Sequence, residues 1–163
     1  MKPAEFTRKC FPRGDAGWKF KYPKDRLLPL AGNITDERMR RPDMFDGNKE
    51  PCLLVVKNGG ATGTTLGRAN GIFSITREYP RITSADDTSF EWAIVNYDSK
   101  SEVFSAPGDS GAIIADIQGR IGGMLTGGSG NTVTSDITYA TPWWWLITRI
   151  RDADKGFPKV YVA

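Results

Sequence analysis

The spacing of apolar and polar positions along this 163-residue chain changes near residue 50. From Pro51 onward, short runs of Val, Ile, Leu and Thr alternate with glycine-bearing turns. Residues 52–57, Cys-Leu-Leu-Val-Val-Lys, predict a continuous apolar strand. Residues 64–68 and 71–77 predict one interrupted strand or two short ones, divided at Ala69-Asn70-Gly71, where Asn-Gly favours a turn or bulge. Further strands are predicted at 90–97, 112–117, 120–126 and 137–141, with Gln118-Gly119 closing a tight hairpin. Six principal strands between 51 and 141 suit one small closed antiparallel barrel rather than two. After Pro142, the run Trp143-Trp144-Trp145-Leu146-Ile147-Thr148-Arg149-Ile150-Arg151 predicts a terminal helix with proline at its first turn and basic residues at its end. Its tryptophans are expected to pack on the barrel wall rather than stack on a ligand.

Residues 1–50 have no sustained period of two or 3.6, and Pro3, Pro12, Pro23, Pro29 and Pro42 interrupt every candidate element. This stretch predicts an irregular arm or linker ahead of a domain spanning 51–163. Two local signals stand out in it. Trp18, Phe20 and Tyr22 alternate with Lys19 and Lys21 as in a half-buried strand, and Thr35-Asp36-Glu37-Arg38-Met39 suits a short helical turn.

Composition agrees with a mostly β chain. Eighteen glycines and ten prolines favour short strands and turns, and 39% apolar residues suffice for a core. The net charge of +3 is unevenly spread: residues 1–41 hold eleven Lys or Arg against five Asp or Glu, and 42–163 hold eleven against fourteen. The basic charges are scattered among prolines and single aromatics, so a solvated surface is expected rather than a nucleic-acid or membrane contact. Cys10 and Cys52 are expected as free, partly buried thiols. No apolar stretch follows the start Met1-Lys2-Pro3-Ala4-Glu5, and the run at 143–147 is too short to cross a bilayer, so the expectation is a soluble, cytoplasmic protein. Asn33-Ile34-Thr35 reads as a chance match to a glycosylation acceptor.

The candidate chemistry lies in Phe104-Ser105-Ala106-Pro107-Gly108-Asp109-Ser110-Gly111. In Gly108-Asp109-Ser110-Gly111 the glycines let the backbone turn sharply, so that the amides of residues 108 and 110 can converge above the serine as an oxyanion hole. Such donors contribute about 3 kcal/mol each at a transition state. A serine hydroxyl is nonetheless a weak nucleophile until a base takes its proton, and this chain contains no histidine. Lys57 and Lys100 are the nearest alternatives. Lys57 ends a strand and Lys100 lies in a polar loop, so both are expected as ordinary exposed ammonium groups. Asp86-Asp87 reads as a solvated turn. Without histidine and with isolated cysteines, neither a metal site nor a cofactor is expected.

This turn, the hairpin after it, the segment Gly122-Gly123-Met124-Leu125-Thr126-Gly127-Gly128 and the Tyr139-bearing strand leading into a terminal helix resemble the C-terminal barrel of the chymotrypsin-like (trypsin-fold) serine peptidases. The likeness covers about residues 51–152 and is nearest in style to peptidase-like proteins of fungi. It implies a Greek-key barrel in which Ser110 resembles the nucleophile, Gly108 supplies the other oxyanion amide, and Asp109 resembles the acidic anchor of the turn rather than the triad aspartate. It further implies that Thr126, Gly127 and Gly128 form a strand edge that pairs with extended substrate and walls the specificity pocket. Phe104, six positions before Ser110, falls where trypsin has an aspartate at the pocket base, which implies preference for a small or apolar side chain.

The family carries its base histidine and orienting aspartate on an N-terminal barrel, for which this chain has only some fifty irregular residues. Three readings follow. The chain is a serine-peptidase homologue whose nucleophile is unactivated; or an endopeptidase whose base comes from a longer precursor or a partner chain supplying the missing barrel; or a regulatory module that holds an extended peptide or protein. In each, the uncovered face is expected to meet the arm, a partner or a second copy.

Overall fold

The computed structural model describes residues 3–10, 25, 27–78, 87–130 and 137–153. The chain opens with helix α1 (Pro3–Cys10), followed by the single-turn helix α2 (Asp36–Arg40) and a two-residue strand, β1 (Met44–Phe45). Seven longer strands come next: β2 (Pro51–Gly59), β3 (Gly63–Ala69), β4 (Phe73–Glu78), β5 (Asp87–Asn96), β6 (Ile113–Asp116), β7 (Ile121–Ser129) and β8 (Ile137–Pro142). Helix α3 (Trp143–Asp152) follows β8 directly.

Six of these strands close on themselves. The antiparallel ladder runs β2-β3-β5-β8-β7-β6, and β6 pairs back onto β2 through Val55↔Asp116, Val56↔Ala115 and Lys57↔Ile114. The consecutive strands β5 and β6 are not neighbours in the sheet, so residues 97–112 must cross one end of the barrel as a Greek-key connection. That crossing carries Ser110. The continuous apolar run of β2 is explained by its place: it touches the core and is also covered from outside, and residues 52–57 are all buried.

The break at Ala69-Asn70-Gly71 resolves into two strands. The Asn70 side chain accepts the Ile72 amide at 3.2 Å, turning the chain out of the barrel, and a Cβ on Gly71 would lie 2.3 Å from the Arg40 carbonyl oxygen. Strand β4 then pairs only with β5, as an added ribbon outside the closed ring. The predicted Gln118-Gly119 hairpin forms around Asp116, whose carboxylate accepts the amides of Gln118 and Arg120 at 2.9 Å each, with Gly119 at φ +82°.

The core is centred on Trp92, Phe104, Leu53, Val55, Ile94 and Ile114, all at 2% exposure or less. Phe6, Cys10, Ile34, Met39 and Met44 belong to the same buried cluster, so the segment before residue 51 contributes to the core of the barrel. It is tied down by polar contacts as well. The Ile34 amide donates to the Ile121 carbonyl oxygen and the Ile121 amide to that of Gly32, Asp43 pairs with Arg120 at 3.0 Å, and Asp46 pairs with Arg68 at 2.7 Å. The turn expected at 35–39 is α2, capped by the Thr35 hydroxyl on the Arg38 amide. One departure is α1: Pro3 occupies the first turn, where its missing amide hydrogen costs nothing, so it begins a helix where an interruption was expected. The strand expected around Trp18, Phe20 and Tyr22, and Asp86, lie outside the described residues. The tryptophans of α3 behave as expected in part: Trp144 packs on the core, while Trp145 is 42% exposed beneath the Arg149 guanidinium, 5.4 Å from its ring.

Candidate active site

The turn that carries Ser110 is built around a buried carboxylate. Asp109 is 1% exposed and takes five donors. Its Oδ1 accepts the amides of Ala61 at 2.8 Å and Thr62 at 3.1 Å; its Oδ2 accepts Lys57 Nζ at 2.9 Å, the Thr62 hydroxyl at 2.7 Å and the Ala106 amide at 3.1 Å. All the donors except Ala106 belong to β2 and the 60–62 turn that joins it to β3. The chain approaches so closely there that a Cβ on Gly59 would sit 2.2 Å from Asp109 Oδ1. Only glycine fits.

Lys57 corrects a sequence expectation. Instead of an exposed ammonium it is 2% exposed, donating to Asp109, the Thr62 hydroxyl and the Gly63 carbonyl oxygen, the last at 3.2 Å. Its three donors match three acceptors, which is the condition for burying an ammonium without leaving it uncompensated. Burial alone would raise the Asp109 pKa. The hydrogen bonds from Lys57, Thr62, Ala106 and Ala61 outweigh it and hold the carboxyl well below the usual carboxylate range. Lys57 is therefore committed to Asp109, and Lys100 is exposed with its own amide bonded to Asp98.

Gly108 at φ +102° and Gly111 at φ +88° shape the turn in a region that other residues avoid. The Asp109 amide donates to the Ala106 carbonyl, Gly111 to Leu125 at 2.8 Å and Ala112 to Asp109 at 3.0 Å. The amides of Gly108 and Ser110 have no protein acceptor among the described residues. Ser110 is exposed, and its hydroxyl has no hydrogen-bond partner among them either.

Beside Ser110 lies a cavity of about 230 Å³, lined by Ser105, Ala106, Pro107, Leu125, Gly127 and Thr138 among others. The Ser105 and Thr138 hydroxyls meet at 2.6 Å, giving it a neutral polar patch. Phe104 does not line it. The side chain is wholly buried in the core, its amide donating to Asn96 Oδ1 at 2.8 Å and its carbonyl oxygen accepting the Thr65 hydroxyl at 2.7 Å. Residue 104 thus faces the core while its neighbour Ser105 lines the cavity.

Strand β7 forms the other wall. Its pairing with β6 ends at Met124, and Leu125 then bonds Gly111 and Ala112. From Thr126, which bulges out of register, to Ser129, no described strand pairs on the side away from β8. A Cβ on Gly127 would meet nothing within 4 Å, while one on Gly128 would lie 3.1 Å from the Ile137 carbonyl oxygen. Of the predicted site residues, Ser110, Gly127 and Gly128 line one cavity, Gly108 and the buried Asp109 precede Ser110 in its turn, and Thr126 is next along the strand. Sequence reasoning missed Lys57 as the partner of Asp109, because the two are 52 positions apart and no local pattern connects them.

No family model matches the chain, and no curated protein matches it. Among solved structures, a crystal structure of Cellulomonas bogoriensis chymotrypsin is similar, at 25% identity and a TM-score of 0.43, over 62% of this chain and 46% of that one. The chain therefore corresponds to less than half the length of that protein.

Proposed function

We propose that this chain is a serine-peptidase homologue that presents a nucleophile turn and a peptide-docking edge but leaves the nucleophile unactivated. The observation that carries the reading is the setting of Ser110: exposed, at the mouth of a cavity, beside an unpaired length of strand, with no group of the described chain hydrogen-bonded to its hydroxyl. Peptide hydrolysis needs three things at this spot: donors for the oxyanion, a place to seat the acyl side chain, and a base. The free amides of Gly108 and Ser110 suit the first, and the cavity suits the second, where a small or apolar side chain fits a neutral lining. The third is missing among the described residues of a chain without histidine, and loss of a triad member leaves only what the oxyanion hole and binding supply.

An extended peptide can add to the open edge at 126–129 by main-chain hydrogen bonds, which makes holding a peptide, rather than cutting it, the activity of the chain alone. Two measurements test this. The purified chain should show no Ser110-dependent labelling by a fluorophosphonate at neutral pH, judged against Ser110→Ala. It should bind blocked extended peptides, and Gly127→Leu, whose Cβ would meet nothing within 4 Å, should abolish that binding. Strong labelling lost in Ser110→Ala would show that the serine is activated and would replace this reading with an enzymatic one.

A further inference from the structure

Glu91 lies on β5 in a position that needs explanation. Its neighbour Trp92 pairs with Ala140 of β8, and both are wholly buried on the inner face of the barrel. Alternation then places Glu91 on the outer face, where a glutamate is ordinarily solvated. Here it is 9% exposed. Its Oε2 lies 3.4 Å from the Thr126 and Thr141 hydroxyls, the first of which is shared with the Tyr139 carbonyl oxygen at 3.3 Å, and no Lys or Arg of the described chain pairs with it. This contrasts with Asp43, Asp46, Asp109 and Asp116, each of which has a cation within 4.0 Å. A carboxylate so covered and held by two long hydroxyl contacts is under-compensated.

The space it borders is defined. Glu91 lines a groove of about 460 Å³ with Thr76, Ser89, Thr126, Gly127 and Tyr139, and it is the one charged residue among the described lining residues. The groove is otherwise walled by hydroxyls and glycines. Gly127 and Gly128 also line the cavity beside Ser110, so the two spaces meet across the open edge of β7. An extended chain lying along 126–129 projects successive side chains to opposite sides, and one set of them reaches this groove.

We propose that Glu91 is the charged determinant of a second subsite, which takes the ammonium or guanidinium of a basic side chain in the docked peptide. This rests on the peptide-docking reading above and adds the class of peptide: one with a small or apolar residue in the Ser110 cavity and a Lys or Arg close to it in sequence. The incoming cation supplies the charge partner that Glu91 lacks, and the hydroxyls of Thr126 and Thr141 keep the carboxylate aimed.

The test is fluorescence-polarisation binding of the full chain to labelled, end-blocked hexapeptides in which Lys, Arg, Gln or norleucine is placed in turn at each position. Lys and Arg at one position should bind about tenfold more tightly than norleucine there. Glu91→Gln, which keeps the shape and the hydroxyl contacts, should erase that preference while leaving the norleucine peptide unchanged. Thr126→Lys, which sets an ammonium of the chain itself beside Glu91, should erase it as well and serves if Glu91→Gln does not fold. Peptides that bind the wild type and lose binding in Gly127→Leu, but show no basic preference or keep it in both variants, overturn this inference alone. No binding of any peptide to the wild type overturns the docking edge, and this inference with it.

Discussion

Lys57 and Asp109 are each inaccessible in their side chains, 2.9 Å apart, and lie beneath the turn that bears Ser110. An ion pair buried this far gains little over an apolar pair, yet removing one member strands the other charge. Lys57→Met is accordingly expected to cost about 3–5 kcal/mol. The double variant Lys57→Met/Asp109→Leu should recover part of that loss in main-chain stability while leaving the turn without its five-donor centre. Urea unfolding of the single and double variants checks this, and equal stability of Lys57→Met and wild type would contradict it. The residue types at this site were readable from the string Gly108-Asp109-Ser110-Gly111 alone, since its glycines and acid define a turn by local chemistry. Lys57 was not readable. A lysine at the end of an apolar strand looks like a solvated terminus until the chain folds a distant carboxylate onto it, and the same non-locality hid the burial of Phe104.

Among the elements, six barrel strands and the terminal helix followed from periodicity because each alternates or buries over several residues, and glycine or Asn-Gly turns mark their ends. Whether β3 and β4 are one strand or two depended on the Gly71 approach to Arg40, a tertiary contact. The segment before β2 was harder still. Its anchoring side chains Phe6, Ile34, Met39 and Met44 are spaced by no regular period, since they dock separately rather than along one face. Part of its hold is ionic, through Asp43 with Arg38 and Arg120 and Asp46 with Arg68. Burial works against the charged forms of both aspartates, but their arginine and backbone partners prevail and lower both pKa values. A depressed folded-state pKa gives stability that is complete above the unfolded value, near 4, and is lost as pH falls through the folded one. Asp109 shifts in the same direction. Melting temperature should therefore be insensitive to these groups between about pH 7 and 5 and decline below about pH 4. A decline centred near pH 6 would point to other groups.

For the molecule as a whole, the barrel and the segment before it share one core. Tyr97 on the crossing loop donates to the Lys9 carbonyl oxygen at 2.9 Å, and Cys10 and Cys52 are buried at 2% and 5% exposure. Burial pushes the Cys10 thiol up to about 12 and the Cys52 thiol up to about 11, so neither forms appreciable thiolate near neutrality. Both should resist an aromatic disulfide reagent at pH 8 in the native state and become reactive together across a single denaturant transition. Early release of Cys10 with Cys52 still protected would show α1 leaving the core on its own.

The closure of the ring has one more outcome. The cation that fixes Asp109 sits on β2, in the same register that joins β2 to β6, so closure of the ring and the shape of the loop bearing Ser110 share one residue. The positive charge that fixes the turn is thus an internal side chain of the closed ring.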